Sequence, residues 1–163
     1  MPTSTAKRVI LYRFDRLPQE GIVNPGGYLL EQGIEMITTL GTLQLVPYGD
    51  LKALRFASED GLDDLFSIHN FFERRPKVPG LWTRFTLKDG ARLDGILPHN
   101  LLDWPEHGYL IAPPRAGAGR QKVFLPRAAV TATELRGVVG VSAAAPKLVE
   151  KRLTDSQIKM FDQ

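Results

Sequence analysis

The fold of this 163-residue chain is decided by residues 85–97, which read FTLKDGARLDGIL. Asp89 and Gly90 stand between two runs that alternate apolar and polar residues. An Asp-Gly pair supplies the positive φ that a tight hairpin turn requires. The segment therefore predicts a β-hairpin formed by strands near 82–87 and 91–98.

Three segments of the first half of the chain match three segments of the second half: 21–23 with 95–97, 34–37 with 108–111, and 46–53 with 125–132. The first two matches share an offset of 74, and the third has an offset of 79. The five extra residues fall in the Gly- and Pro-rich stretch at 113–119, where a loop insertion costs little free energy. We interpret these matches as an internal duplication.

Each copy contains five short segments that are rich in β-branched and aromatic residues and are separated by turn residues. The predicted strands of the first copy are 7–14, 20–24, 33–38, 41–47 and 51–57. Those of the second copy are 82–87, 91–98, 108–112, 121–125 and 130–135. The prediction is a mainly β protein made of two small SH3-like barrels of five strands, because closure into a barrel removes exposed strand edges.

A helix is predicted between the two copies. Ser58 is a suitable N-cap, apolar residues recur at helical spacing behind it, and Pro76 ends the pattern. After residue 136 the chain becomes rich in Gly, Ala, Ser and Pro, which is typical of a linker, and Thr154 with Gln157 forms a capping box. The predicted organisation is as follows: first barrel 1–57, connecting helix 58–76, second barrel 77–136, and linker with a short C-terminal helix or tail 137–163.

The composition excludes several classes of site. The chain has no cysteine, so a disulfide, a zinc-thiolate site and a cysteine nucleophile are excluded. The net charge of +3 is compatible with a nucleic-acid partner but is too small to predict one. No segment approaches the roughly 18 apolar residues that a membrane helix needs. These features lead us to expect a cytoplasmic protein without membrane contact.

Little in the sequence favours catalysis. The three histidines lack the spacing of metal ligands, and residues 117–122 lack the spacing of a phosphate-binding loop. The polar cluster at 103–107, with His107 at its end, could move a proton or bind a metal, but a hairpin loop anchored by Trp104 also accounts for it. We therefore expect no enzyme activity, no cofactor and no metal, with catalysis involving His107 as a third hypothesis.

The second copy resembles the Sm-like family. Residues 85–97 resemble the family's first motif, a strand that ends in Asp/Asn-Gly and is followed by Gly-x-hydrophobic. Residues 123–130 resemble its second motif, a strand, a short basic turn and a final strand. The predicted helix stands where the family has its N-terminal helix. The resemblance covers about 58–136, and the first copy repeats it more loosely at 7–57.

The resemblance implies a function and a set of contact residues. It implies a non-enzymatic module that contacts RNA or single-stranded nucleic acid through Asn24, Tyr48, Asn100 and Arg127. Tyr48 would stack on a base and Arg127 would pair with a phosphate or stack, whereas the alternative is that all four are ordinary turn residues.

The resemblance also implies an assembly. Sm-like domains form rings through their strand edges, so three tandem chains would form a pseudo-hexameric homo-oligomer. The alternative is that the two copies satisfy each other's edges, which leaves a monomer or a dimer.

The C-terminal tail supports a competing hypothesis. The segment QIKMF at 157–161 resembles the bacterial sliding-clamp-binding pentapeptide Gln-Leu-x-Leu-Phe, with Gln157, Ile158, Met160 and Phe161 at the anchoring positions. A short amphipathic helix that docks on its own barrel is the alternative explanation of these residues. The competing function is a protein-interaction adaptor whose barrels and tail dock onto protein partners.

Overall fold

The structure is a computed structural model that describes residues 5–57, 65–66, 71–114 and 122–140. Ten β-strands lie in these ranges: β1 Lys7–Arg13, β2 Gln19–Val23, β3 Gly33–Thr38, β4 Leu43–Pro47, β5 Leu51–Phe56, β6 Gly80–Leu87, β7 Arg92–Leu97, β8 Gly108–Ile111, β9 Val123–Pro126 and β10 Val130–Val139. The prediction of a mainly β protein is confirmed. Across the described ranges, no helix has the length and apolar character needed to span a membrane.

The strands form two antiparallel sheets. One has seven strands in the order β4-β3-β2-β1-β5-β9-β8, and the other has three in the order β10-β6-β7. A bridge between Ile96 of β7 and Ala112 beyond β8 joins the two sheets. The sheets do not divide at the boundary between the predicted copies, because β9 of the second half pairs with β5 of the first. The strand order of each sheet is open.

Two hydrophobic cores lie on opposite faces of the seven-stranded sheet. Because successive side chains of a strand point to opposite faces, β1 contributes Val9 and Leu11 to one core and Ile10 and Tyr12 to the other. The side chains of β9 also alternate between the two cores. Phe124 packs in the core with Val9, and Val123 and Leu125 pack in the core with Ile10. The second half of the chain thus completes the core of the first half.

The predicted hairpin at the start of the second half is present. Gly90 has a φ of +85°, and the N–H of Leu87 donates to the carbonyl of Ala91 at 2.8 Å. Lys52 of β5 places its Nζ 2.6 Å from Asp89 in this turn. The turn that fixes the second half is therefore also tied to the first half.

The predicted connecting helix lies partly outside the described residues. Residues 71–76, the C-terminal part of the prediction, form bends and irregular backbone instead of a helix. The N–H of Phe72 donates to Asp94 Oδ2 at 3.0 Å, and Arg75 Nη2 donates to the carbonyl of Val138 at 2.6 Å. The Phe72 N–H is thus satisfied by the sheet instead of by a helical carbonyl, and the Arg75 side chain adds a second bond to the sheet.

A buried carboxylate holds the three-stranded sheet and this segment together. Asp94 is fully buried and accepts hydrogen bonds from Arg84 Nε at 2.7 Å, Arg84 Nη2 at 3.2 Å and Trp82 Nε1 at 3.0 Å, besides the N–H of Phe72. The hydrogen bond to Asp94 raises the pKa of Arg84 above its usual value. Phe71 stacks on the same guanidinium, 4.0 Å from ring centroid to Arg84 Cζ. The carboxylate is thus satisfied by donors from two separate segments, β6 and residues 71–76.

Strand β10 is longer than the sequence predicts. It continues to Val139, so Arg136 and Gly137, which we placed at the end of the second barrel and in the linker, belong to the strand. They pair along β6, where Gly137 lies opposite Trp82. The remainder of the predicted linker and the tail motif at 157–161 lie outside the described residues.

Candidate functional site

The structure brings together two of the four residues that the resemblance implies. Tyr48 begins the 3₁₀ turn Tyr48–Asp50 between β4 and β5, and Arg127 begins the turn Arg127–Ala129 between β9 and β10. The two turns contact each other because β5 and β9 are neighbours. The backbone N–H of Arg127 donates to the carbonyl of His107 at 2.9 Å, which brings a third loop to the same place.

Asn24 and Asn100 stabilise their own turns. The side-chain oxygen of Asn24 accepts from the N–H of Gly26 at 3.1 Å. The side-chain oxygen of Asn100 accepts from the N–H of Leu102, also at 3.1 Å, at the start of the turn Leu101–Asp103. Because both side-chain oxygens accept hydrogen bonds from backbone N–H groups two residues further on, the described contacts of Asn24 and Asn100 stabilise turns.

Tyr48 is stacked on His107. The ring centroids are 4.8 Å apart and the planes differ by 20°. The Tyr48 hydroxyl donates to the carbonyl of Leu30. Burial raises the pKa of Tyr48, and the nearby carboxylate of Glu106 raises it further. The result is a stacked pair of rings whose members come from the two halves of the chain.

A cleft of about 410 Å³ lies beside this pair, between residues 29–31 and 105–107. Its lining combines apolar side chains with carboxylates and an imidazole: Leu29, Leu30, Glu31, Pro105, Glu106 and His107. Half of the lining residues are apolar and half carry a carboxylate or an imidazole, so polar groups are available to fix the orientation of a small ligand. The carboxylates and the imidazole can exchange hydrogen bonds with a flat, polar-edged ligand that contacts the His107 side of the stacked pair.

The loops at this end of the strands are acidic. The loops that follow β2, β4, β7 and β9 carry four carboxylates and one arginine: Glu31, Asp50, Asp103, Glu106 and Arg127. A surface of this charge attracts amino groups more strongly than phosphate groups. In the described parts of the chain, no cluster of three or more His, Cys, Asp or Glu could hold a metal ion.

Tyr28, the residue before Leu29 of the cleft, is buried in the core that contains Val9. Its side chain is 5% exposed, and burial raises the pKa of its phenol to about 12, with a smaller contribution from Tyr48. A folded-state pKa above the ordinary value means that the folded protein holds the proton longer than the unfolded chain does. This contribution to stability is complete below pH 10 and is lost as the pH rises toward about 12.

We therefore expect Tyr28→Phe to reduce the fall in unfolding free energy across this pH range, by up to about 1.4 kcal/mol per pH unit. Urea unfolding followed by circular dichroism between pH 9 and pH 11.5 measures this difference. Tyr109→Phe, at a partly exposed tyrosine of the other core, is the control. Equal pH dependence in wild type and Tyr28→Phe would contradict the buried phenol.

The sequence identified His107 only as a candidate for proton transfer or metal binding, and not as a stacking residue. The following residue, Gly108, has no space for a side chain, because a Cβ there would lie 2.2 Å from the carbonyl oxygen of Leu125. This close approach of β8 to β9 holds His107 against the first half of the chain. The glycine after a polar loop was the one available signal, and it indicates a close backbone contact without identifying the ring that lies over it.

Comparison with known proteins identifies a family and no function. A family model, DUF6982, described as a family of unknown function, matches residues 5–137. No curated protein and no solved structure matches the chain.

Proposed function

Since this chain belongs to DUF6982, a family of unknown function, we propose a function from its own geometry: a non-enzymatic module that binds bases of single-stranded nucleic acid, RNA in particular. The observation that carries the proposal is the cleft of about 410 Å³ beside the stacked Tyr48 and His107 rings, with Arg127 exposed next to it. Proteins that recognise single strands stack bases on aromatic rings and bind their polar edges.

Corresponding strand pairings support the proposal of two Sm-like units. In the first half Leu11 pairs with Leu54. In the second half their counterparts pair in the same way: Phe85, which lies 74 positions after Leu11, pairs with Thr133, which lies 79 positions after Leu54. Both pairs of strands skip one residue at corresponding positions. Between β1 and β5 the pairing passes over residue 52, and between β6 and β10 it passes over residue 131, which is 79 positions further on. The strand pairing also changes the alignment of the two halves by one residue at β3 and β8. Gly33 lies opposite Pro47, and Gly108 lies opposite Pro126, so Gly108 is the counterpart of Gly33 at an offset of 75.

The charge of the cleft favours particular bases. Carboxylates accept hydrogen bonds from exocyclic amino groups, as an acidic side chain does from the amino group of cytosine. Glu31 and Glu106 line the cleft, so cytosine and adenine, which carry amino groups, should bind better than uracil. Arg127 is the one cation of the surrounding loops, so phosphate contacts contribute little and the salt dependence should be shallow.

Fluorescence anisotropy with short labelled oligo-C, oligo-A and oligo-U RNAs tests the proposal. We expect His107→Ala to weaken binding of oligo-C by about 5- to 100-fold, the range of one lost stacking contact. We expect Glu106→Gln, at a side chain that is 89% exposed at the rim of the cleft, to reduce the preference for oligo-C over oligo-U. Arg127→Ala should reduce the slope of log K against log salt by about 0.7, which corresponds to one phosphate contact.

Arg16→Ala is the matched control. Arg16 is an exposed arginine between β1 and β2, at the opposite end of β2 from the cleft. It changes the net charge as Arg127→Ala does but should leave both affinity and salt slope at their wild-type values. Absence of binding at low salt, or equal effects of Arg16→Ala and Arg127→Ala, would refute the nucleic-acid function.

A second candidate is a protein-interaction adaptor, and an exposed apolar row favours it. Ile22, Ile37 and Leu43 lie opposite one another on β2, β3 and β4 and are 40%, 43% and 63% exposed. Contiguous apolar side chains on a surface mark protein contacts. Failure of every oligonucleotide to bind would favour this candidate, and binding to a purified bacterial sliding clamp that Phe161→Ala abolishes would assign the contact to the tail.

A further inference from the structure

We propose that the protein binds an acidic peptide segment of a partner protein in a basic cleft beside its three-stranded sheet. The cleft has a volume of about 390 Å³ and is lined by residues 71–78 and Pro114. It shares no described lining residue with the cleft beside Tyr48 and His107. The inference therefore does not rest on the proposed nucleic-acid function.

The segment that forms most of the cleft is held in place before a ligand binds. Asp94 accepts a hydrogen bond from the N–H of Phe72 at 3.0 Å, and the carbonyl of Val138 accepts one from Arg75 Nη2 at 2.6 Å. The Phe72 ring packs against Trp82 of β6, with the ring centroids 6.1 Å apart. Because this wall is already ordered, a ligand binds to it at a smaller cost in conformational entropy.

The cleft is basic. Arg74, Arg75 and Lys77 line it, and Glu73 is the one carboxylate of its described lining. Arg74 and Lys77 are exposed, and the ion pairs of the described residues include neither of them. A guanidinium has five N–H donors, so Arg75 can bind the carbonyl of Val138 and a ligand at the same time. Since Arg and Lys only donate and a carboxylate only accepts, this lining favours a ligand that carries carboxylates.

The rest of the lining is apolar, so the ligand needs more than negative charge. Phe71 and Val78 are 39% and 51% exposed in this lining, which also contains Phe72, Pro76 and Pro114. An apolar side chain of the ligand would cover these groups, while its carboxylates reach the arginines and the lysine. An acidic peptide with Leu or Phe between its carboxylates combines the two properties.

The apolar walls suit a peptide side chain better than a nucleic-acid base. Proteins that bind single strands stack the bases on aromatic rings. Here the guanidinium of Arg84 already lies over the ring of Phe71, with Cζ 4.0 Å from the centroid, and Phe72 packs against Trp82. The other apolar residues of the lining are aliphatic. Phosphate contacts alone would leave this part of the cleft uncovered.

Fluorescence anisotropy of the full chain with labelled ten-residue peptides tests the inference. The probe peptide alternates Asp or Glu with Leu or Phe. One control peptide has Ser in place of every acidic residue, and the other has Ser in place of every Leu and Phe. We expect the probe to bind with an affinity that falls as salt screens the charges. Each control peptide should bind at least about 10-fold more weakly, the effect of one charge-assisted hydrogen bond or one buried apolar side chain.

Charge reversal assigns the contact to the cleft. Arg74→Glu/Lys77→Glu should weaken binding of the probe by about 10-fold or more, because two attractive contacts become repulsive. Lys7→Glu/Arg16→Glu makes the same change in net charge at exposed residues outside the lining and should bind the probe with wild-type affinity. Circular dichroism confirms that both variants are folded. Binding of oligo-C RNA by Arg74→Glu/Lys77→Glu should equal that of the wild type, so the two proposed sites are tested separately.

Unlabelled oligo-U RNA, added as a competitor, distinguishes a peptide site from a phosphate site and should not displace the probe. Displacement of the probe by oligo-U would overturn the inference in favour of nucleic acid. Absence of probe binding at low salt, equal binding of the probe and either control peptide, or equal losses in the two charge-reversal variants would also overturn it.

Discussion

Replacing Asp94 with alanine is expected to lower the free energy of unfolding by about 3–5 kcal/mol. The substitution leaves the guanidinium of Arg84, whose side chain is 16% exposed, without its ionic partner. It also removes the acceptor of Trp82 Nε1 and of the Phe72 N–H. Removing one member of a buried pair is costly because the other stays desolvated without compensation.

Urea unfolding monitored by circular dichroism measures this loss. Glu134→Ala is the matched control, because Glu134 also pairs with arginine but is exposed, and such pairs contribute less than about 1 kcal/mol. The double variant Asp94→Leu/Arg84→Met removes both charges and should recover part of the lost stability. A change of under about 1 kcal/mol in Asp94→Ala would show that the network is not a major source of stability.

Phe124→Ala is expected to cost about 3–5 kcal/mol, as for other fully buried aromatic residues. The ring has no exposed surface and contacts Tyr28 and Tyr48 at centroid distances of 6.3 and 6.2 Å. It also fills the space left by the missing side chain of Gly108, where a Cβ would lie 2.8 Å from the ring. Its removal leaves a cavity at the junction of the two halves.

Phe124→Leu retains much of the apolar volume and should cost less than the alanine substitution. Leu102→Ala, at a leucine that is 91% exposed, should change stability by no more than about 0.5 kcal/mol. Thermal and urea unfolding of the three variants measure these differences. If Phe124→Ala and Leu102→Ala had equal stability, the core that contains Val9 and Phe124 would not depend on β9.

The ten strands were predictable because their signals are local. Alternating apolar residues and turn residues act within a few positions, and Asp89 with Gly90 specifies its hairpin directly. The end of β10 was missed because Gly137 and the Ala- and Pro-rich residues after it read as a linker, while pairing with β6 extends the strand to Val139. The segment 71–76 was misassigned because helical spacing does not reveal that the Phe72 N–H bonds to Asp94.

The candidate site was only partly predictable. Tyr48 and Arg127 were identified through the resemblance, and the structure places their turns in contact. The pairing of β5 with β9 joins residues about 70 positions apart, and the stack of Tyr48 on His107 follows from that pairing. Periodicity indicates which face of a strand is buried but does not specify which distant strand lies beside it.

Because Phe124 completes the core of the first half, that core can form only after most of the chain has been synthesised. Residues 5–57 contain every strand of the first half, yet their core stays open on one side until β9 has been translated and has left the ribosome. Apolar surface of the first half therefore stays exposed while more than sixty residues between β5 and β9 are synthesised. We therefore expect the core that contains Val9 and Phe124 to close only after β9 becomes available, and the two halves to fold together.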